Sequence, residues 1–344
     1  IINSNNETIM KKEFLLSIVL LFTVVYSTAQ KSVALHSNGT TTIFGGDTPL
    51  TEAYDAAVTG DTLYVSGGNF VAPATINKGL VIIGAGYHPE STAATQKTYI
   101  TNPSYISLGD NASNLYMEGM ELIDGLYKTN GVITDFTLIR CKINGNINFS
   151  GSGDPTNATI VQCDISGSIR LQGVTYSLVS NCILRGRLEY SNNNIVKNNI
   201  FLYEVTTNAP TYSCNSNTFY NNIFTTGYGP ITSTQGSNNN FQYNIFTATS
   251  ATFGTAPTVL NNYIGVDLAT VYVNESEGDY HLLGDASTTY LGDDGTEVGI
   301  YGGLVPFKEG AVPINPHISQ KSIQTTTDSN GLLNISFTVE AQQN

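Results

Sequence analysis

Five charged residues recur at fixed offsets in this chain. Charged residues make up only 12% of the sequence, so the grouping stands out. Each of the five lies five or seven residues after a member of a recurring series described below: Lys128, Arg170, Arg187, Glu189 and Glu204. A carboxylate between two guanidinium groups has the composition of a catalytic acid–base site or of a sugar-binding strip. The same charges could instead pair with one another on an exposed surface, where such pairs add little stability.

Metal and triad chemistry have less support in the sequence. The four histidines stand apart, at 36, 88, 281 and 317, and form no metal constellation. His88 has no nearby Ser, Cys or second His that would complete a triad. The acidic loop GDDGTE at 292–297 resembles a calcium loop in composition but lacks the ligand spacing. We therefore expect no metal and no cofactor, with calcium as the one alternative.

The series that orders these charges is an internal repeat. The segments GMELI, IRCKI, VQCDI, VSNCIL, VKNNIF, FYNNIF, QYNIF and LNNYI share one arrangement of polar and apolar residues. Taking the second polar position as the reference gives Glu121, Cys141, Cys163, Cys182, Asn199, Asn222, Asn244 and Asn262. The mean step is about 20 residues, which is a period typical of solenoid proteins.

Apolar residues alternate with polar ones inside each repeat. The segments GNINF, GSIRL and GRLEY follow three successive reference residues at one offset, and every second residue in them is apolar. Alternation in short runs bounded by Gly, Asn and Ser indicates β-strands. Because no helical pattern separates the strands, each repeat is predicted to be one coil of a β-solenoid whose coils pair in parallel. Arg170, Arg187 and Glu189 would then face outward.

The repeats are flanked by an opening segment, LTEAYDAAVTGDTLYVSGGNF, and a closing segment, GDYHLLGDASTTYLGDDGTEVGIYGGLVPF. With these flanks, residues 35–310 resemble right-handed parallel β-helix proteins of the pectate-lyase-like kind, exported by Bacteroidota-type bacteria. The resemblance implies an all-β fold with an N-terminal cap and a C-terminal capping strand or tail. The repeats, counted with weaker strands near 62–66, 80–83 and 98–101, give roughly ten coils. It implies no particular activity, because this fold carries lyases, hydrolases, esterases and non-catalytic surface proteins.

Cysteine and asparagine share one slot of the repeat, so the slot must suit both residue types. We interpret it as an inward-facing corner that forms a structural ladder: Cys141, Cys163, Cys182, Asn199, Asn222, Asn244 and Asn262. Stacked Asn amides can bond to each other, Asn tolerates a left-handed backbone, and Cys is a small buried hydrophobe. A disulfide and a metal site are the alternatives, the first permitted by export and coil spacing and the second lacking converging ligands. Cys214 lies outside the series.

The ends of the chain read differently from the repeats. MKKEFLLSIVLLFTVVYSTAQ has the order of charge, apolar run and small-residue cleavage site of a secretory signal. We predict a signal peptide at 10–29, the β-helix at 30–303 and a proline-containing tail at 304–344. A strand in GLLNISFTVEA is predicted to cover an open edge of the solenoid. We expect a secreted protein, extracellular or in the periplasm or outer surface of a Gram-negative bacterium, with no transmembrane span after signal removal.

The formal charge of −13 argues against nucleic acid as a partner, because phosphates require a basic face. We expect a monomeric, non-catalytic protein that presents a face to a polysaccharide, a cell-surface glycan or another cell-surface partner. That face would contain Lys128, Arg170, Arg187, Glu189 and Glu204. The alternative is a polysaccharide lyase or glycoside hydrolase acting on the exposed strand face, with Glu189, Arg187 and Arg170 as the catalytic candidates.

Overall fold

The computed structural model describes residues 31–88, 93–102, 104–129, 131–151, 153, 155–203, 208–227, 229–232, 234–309 and 311–341. The predicted signal peptide at 10–29 lies outside these residues. Within the described part of the chain, no helix has both the length and the apolar character needed to cross a membrane.

Parallel strands stacked in three sheets confirm the predicted all-β parallel β-helix. In the described residues, sheet A has 12 strands, of which the ten from Thr62–Val65 onward lie parallel to one another, so the solenoid makes about nine turns. Its strands are Ser32–Ser37, Thr40–Gly45, Thr62–Val65, Val81–Ile83, Tyr116–Glu118, Thr137–Ile139, Thr159–Val161, Leu178–Ser180, Ile195–Lys197, Thr218–Tyr220, Asn240–Gln242 and Thr258–Leu260.

Sheets B and C complete each coil. Sheet B consists of Gly68–Val71, Thr98–Thr101, Glu121–Leu122, Lys142–Ile143, Asp164–Ile165, Ile183–Leu184, Ile200–Phe201, Ile223–Phe224, Ile245–Phe246 and Tyr263–Ile264. Sheet C consists of Thr75–Ile76, Tyr105–Leu108, Gly125–Lys128, Ile147–Asn148, Ile169–Arg170, Leu188–Glu189 and Thr211–Tyr212. A short parallel pair joins Cys214–Asn215 to Gly236–Ser237. The inward residues of all three sheets fill one apolar core.

The predicted N-terminal cap is present. The hairpin Ser32–Ser37 and Thr40–Gly45 joins the first coil in antiparallel pairing. Helix α1, Pro49–Ala56, follows it and begins with Pro, which suits the first turn of a helix. Leu50, Ala53 and Tyr54 recur at helical spacing and are buried in the solenoid core. The helix thus closes the first end of the core.

Two residues with different roles form each corner between sheets A and B. The first has a left-handed backbone, as in Asn181, Asn198 and Asn221, at φ values of 53°, 52° and 57°. The second is the buried residue of the predicted ladder. The expectation that the ladder Asn itself takes the left-handed conformation was wrong, because the residue before it makes the turn.

The buried slot confirms the structural ladder. Oδ1 of Asn199 accepts a hydrogen bond from the backbone N–H of Cys182 at 2.9 Å, and its Nδ2 donates to the carbonyl of Val179 at 2.9 Å. The bonds from one slot to the next continue through Asn222, Asn244 and Asn262. Sγ of Cys182 contacts the equivalent carbonyl, that of Ile160, at 3.5 Å. Amide and thiol therefore fit one slot because both can donate to the same column of carbonyls.

All four cysteines are buried free thiols, so the disulfide alternative is not realised. Among the described residues, no group of His, Cys, Asp and Glu could hold a metal. Glu121 is the one reference residue that was misplaced. The coil pairs Glu121 with Lys142, one position past Cys141, so Met120 occupies the slot. Gly119, at φ 69°, makes the corresponding turn.

A second ladder, which was not predicted from the repeats, lies at the corner between sheets C and A. Oδ1 of Asn194 accepts from the N–H of Ser177 at 2.8 Å, and Asn217 and Asn239 continue the series at 3.0 Å per step. Residues 191–203, SNNNIVKNNIFLY, thus contribute to both ladders. Their density of asparagine satisfies buried backbone groups at two corners of one coil.

The chain returns along the outside of the solenoid after its last coil. Residues 268–300 pack on the outer face of sheet B, where Ile200, Ile223 and Ile245 form a second apolar cluster with Val298 and Ile300. This cover consists of the 3-10 turns Leu268–Thr270 and Glu275–Glu277, the antiparallel pair Tyr272–Asn274 and Asp279–Leu282, and helix α2, Gly284–Thr289.

Residues 299–309 and 311–314, called the strap from here on, run back along the A–B corner toward the first coils. Asn198 contacts Gly299, Asn181 contacts Ile300 and Gly302, Gln162 contacts Pro306, and Arg140 contacts Val312. Where the strap passes Gly119, a Cβ on that residue would lie 2.4 Å from Cγ of Pro313. The turn therefore requires glycine both for its backbone and for the close approach of the strap.

The tail ends in a hairpin. The predicted strand is present at Ile335–Glu340, but it pairs with His317–Ile323 and not with an edge of the solenoid. The last strand of sheet A, Thr258–Leu260, has only exposed residues. The described tail therefore pairs within itself and not with that edge, and the strap leads it back toward the first coils.

Candidate functional site

The structure brings three of the five predicted charged residues together on the outer face of sheet C. Arg170 and Glu189 are direct partners on adjacent strands, and Arg187 lies two residues before Glu189. Lys128 is buried and donates from Nζ to the carbonyl of Gly131 at 2.9 Å. Lys128 is separate from these three residues because Glu121, the reference residue for its coil, was placed one residue too late in the chain. Tyr127, and not Lys128, therefore occupies the outward position of that coil. Glu204 lies outside the described residues.

Aromatic rings engage both arginines of this strip. The guanidinium of Arg170 lies 4.2 Å from the ring centroid of Tyr190, and that of Arg187 lies 4.7 Å from the ring of Tyr212. Among the described residues, no ion pair joins Glu189 to either arginine. The strip is therefore held by cation–π contacts rather than by the ion pairs considered from the sequence.

A deeper site lies on the outer face of sheet B, beside the cover. It is a groove of about 640 Å³. The outward residues of three successive coils form its floor: Glu121, Lys142 and Asp164. Coil spacing places neighbouring floor residues about 4.8 Å apart at Cα. The outward position becomes apolar at Ile183 and stays so in the following coils, which is where the cover packs.

Ion pairs fix the two carboxylates of the floor. Nζ of Lys97 lies 2.5 Å from Glu121, which also accepts from Nδ2 of Asn144 at 2.9 Å. Asp164 pairs with Nε of Arg185 at 3.0 Å. Lys142 lies between these pairs, and no partner for its ammonium group is present among the described residues. The floor therefore offers preorganised hydrogen-bonding groups with one free cation at its centre.

Aromatic and acidic side chains form the other sides of the groove. Residues 277–280 of the cover line one part, and Tyr301, Phe307 and Glu309 of the strap line another. The hydroxyl of Tyr301 donates to Glu309 at 2.9 Å. Burial raises the pKa of Tyr301, and its hydrogen bond to Glu309 raises it further. The ring of Tyr301 stacks on His281 at 3.7 Å, and Nδ1 of His281 lies 2.8 Å from Asp279.

Tyr87 also lines the groove. It is 8% exposed, and the described residues provide its hydroxyl with no partner. Burial raises the pKa of Tyr87, and the nearby Asp164 carboxylate raises it further. The hydroxyl therefore remains protonated and available to donate a hydrogen bond to a bound molecule.

The acidic loop at 292–297 serves the fold. Oδ1 of Asp293 accepts from Nδ2 of Asn221 at 2.7 Å, and Oδ1 of Asp294 accepts from the N–H and Oγ1 of Thr296 at 2.9 and 2.7 Å. These bonds fasten the end of the cover to a corner residue and close a turn. The loop lies outside the groove.

The groove was not predicted from the sequence, although the sequence contains one signal of it. The residue after each slot position reads Lys142, Asp164, Ile183, Ile200 and Ile223, a change from charged to apolar along one column. Such a change on an outward column marks the boundary between an open and a covered face. Much of the wall of the groove, however, comes from residues 277–309, more than 100 positions after the floor residues in the chain.

Comparison with protein-family models, curated proteins and solved structures finds no match for this chain.

Proposed function

We propose that the protein is an exported glycan-binding protein and that the groove on sheet B is its binding site. The observation that carries this proposal is the lining of the groove. Tyrosine rings lie beside polar groups that are already fixed by ion pairs. Such amphipathic rings provide apolar contact with a hydrogen-bonding edge, and rigid polar groups orient a ligand at low entropic cost.

The charges of the groove favour a neutral or amino sugar over an acidic one. Its lining contains Lys97, Lys142 and Arg185 against five carboxylates, a formal charge of −2 with His88 neutral. The chain as a whole carries −13. A polyuronate would be repelled by the negative charge of the groove lining and by the net negative charge of the whole chain. The proposal of export is based on the signal sequence predicted at 10–29. The likeness to exported pectate-lyase-like proteins of Bacteroidota is part of the same proposal.

A binding panel tests the proposal. The mature chain is titrated calorimetrically with neutral glucan oligosaccharides, glucosamine oligosaccharides and oligogalacturonates. We expect binding of a neutral or amino oligosaccharide that weakens at least tenfold in Tyr301→Ala and Lys142→Ala. Tyr212→Ala, on sheet C, is the matched control. If the control loses binding while the groove variants keep it, the site lies on sheet C. Absence of binding across a broad panel would refute the proposal.

Cleavage of the glycan is the second candidate, favoured by the carboxylates of Glu121 and Asp164 on either side of Lys142. A glycoside hydrolase needs one carboxyl group that donates a proton to the leaving group. Here both carboxylates accept hydrogen bonds from cations. We therefore expect binding without cleavage, and new reducing ends or unsaturated products in the same panel would overturn that expectation.

A further inference from the structure

The strap carries one side of the groove, and residues outside the groove hold it there. Tyr301, Phe307 and Glu309 belong to the strap, whereas the floor belongs to sheet B. Among the corner residues that contact the strap, Asn181 and Gln162 do not line the groove. They are 2% and 1% exposed, so a ligand cannot reach them.

Asn181 holds the carbonyl groups of the residues on both sides of Tyr301. Its Nδ2 donates to the carbonyl of Ile300 at 2.9 Å and to the carbonyl of Gly302 at 2.8 Å. Oδ1 of Asn181 in turn accepts from the hydroxyl of Ser180 at 2.5 Å, which orients the amide. One side chain thus fixes the residues before and after a groove tyrosine.

Gln162 does the same for the next aromatic residue. Its Nε2 donates to the carbonyl of Pro306, the residue before Phe307. Nε of Arg140 donates to Oε1 of Gln162 at 2.9 Å, so this amide is also oriented by a neighbouring corner residue. The N–H of Phe307 donates to the carbonyl of Ile300 at 2.7 Å, which joins the two fixed points of the strap.

We propose that Asn181 and Gln162 are positioning residues of the groove, which set the placement of Tyr301 and Phe307 for the ligand. This inference rests on the proposed function. A ligand that contacts both the floor and the strap binds only the docked arrangement, so ligand binding and strap docking stabilise each other reciprocally. The corner column thereby controls affinity without touching the ligand.

Glycine substitutions test this role. Asn181→Gly removes the amide while glycine accepts the left-handed backbone, and Asn193→Gly is the control at an exposed left-handed corner that does not contact the strap. We expect Asn181→Gly to weaken the best-bound oligosaccharide of the panel about tenfold and to speed amide exchange over 299–309. Asn193→Gly should leave both unchanged.

A double-mutant cycle separates positioning from general destabilisation. If Asn181 acts through Tyr301, then Tyr301→Ala costs about tenfold in affinity in the wild-type chain but little in Asn181→Gly. Gln162→Gly with Phe307→Ala repeats the cycle should the first variant fail to fold. Additive effects together with unchanged exchange over 299–309 would overturn the inference. If no oligosaccharide binds at all, the proposed function fails, and the exchange measurement still shows whether Asn181 holds the strap.

Discussion

Asn198 and Asn199 are consecutive in the chain yet hydrogen-bond in opposite directions across the wall of the solenoid. Nδ2 of Asn198 donates outward to the carbonyl of Gly299 at 3.4 Å, and Nδ2 of Asn199 donates inward to the carbonyl of Val179 at 2.9 Å. The left-handed backbone of Asn198 produces this reversal, since it turns the chain between the two side chains. A pair of asparagines thus joins one coil both to the inner ladder and to the strap.

The inner ladder should be sensitive to loss of its amides but tolerant of a thiol. Asn222→Ala leaves the carbonyl of Val196 and the N–H of Asn199 without partners, so we expect a loss of about 3 kcal/mol in unfolding free energy. Asn222→Cys should lose only about 1–2 kcal/mol, because a thiol at Cys182 both accepts and donates in this slot. Urea denaturation measures both. The exposed Asn111→Ala is the control and should change stability by less than about 0.5 kcal/mol.

The cover should depend on the apolar column beneath it. Ile200 is 0% exposed under the cover, whereas Ile195, five residues earlier in the same coil, is 44% exposed on sheet A. We expect Ile200→Ala to cost about 2–4 kcal/mol and Ile195→Ala less than about 1 kcal/mol in urea denaturation. Amide exchange over 268–300 should rise in Ile200→Ala alone. Equal costs for the two variants would contradict a cover packed on sheet B.

A buried ion pair holds the far end of the strap. Arg140 and Glu118 are 4% and 5% exposed at their side chains and lie 3.4 Å apart, and they bond to Val312 and Ile314 of the strap. Arg140→Met should cost about 3–5 kcal/mol, because it leaves the carboxylate of Glu118 buried without its cation. Adding Glu118→Gln should restore part of that loss. Additivity of the two changes in thermal unfolding would show that the pair does not act as a unit.

The buried thiols should resist modification and destabilise the protein at high pH. Burial raises the pKa of Cys214 to about 12, and it raises those of Cys141 and Cys163 well above the usual value. A thiol whose folded pKa is raised favours the native state fully below the unfolded pKa, near 9, and that contribution is lost as pH rises toward the folded value.

We therefore expect no reaction of the native protein with a thiol reagent at pH 8 and four reactive thiols after unfolding. Between pH 9 and 12, the wild-type protein should lose about 4 kcal/mol more than Cys214→Ala in unfolding free energy. Equal pH profiles for the two proteins would refute the assigned burial of Cys214. All other titratable groups are common to the two proteins, so their contributions cancel in this comparison.

The sequence predicted the solenoid, its parallel stacking and most of the ladder, because those features repeat and a repeat can be read by alignment. The slot at Glu121 was misplaced by one residue because Met120 is neither Cys nor Asn and the coil turns at a glycine. That one-residue error placed Lys128 on the outer face of the solenoid instead of the inner face. A period-two strand reverses every side chain when its register shifts by one.

The groove could not be predicted in the same way, since its parts do not repeat. Its floor is local to the coils at 121, 142 and 164, but Tyr280 and Tyr301 come from the chain after the last coil. Where that chain packs depends on the apolar column from Ile183 onward, and its path depends on outward bonds from corner residues. The aligned repeats show that the corner is a shared position, but they contain no signal that Asn181 or Gln162 bonds to the strap outside the solenoid.

The path of the strap also bears on how the molecule unfolds. In a solenoid, each repeat contacts only its neighbours, so stability is close to a sum over a one-dimensional array and a frayed end can open by itself. Here a single segment bonds in turn to corner residues from Asn198 back to Arg140, across four coils. Opening any of those coils also breaks the bonds that the strap makes to that coil. The chain therefore couples repeats that never touch, and its central coils should melt as one cooperative unit.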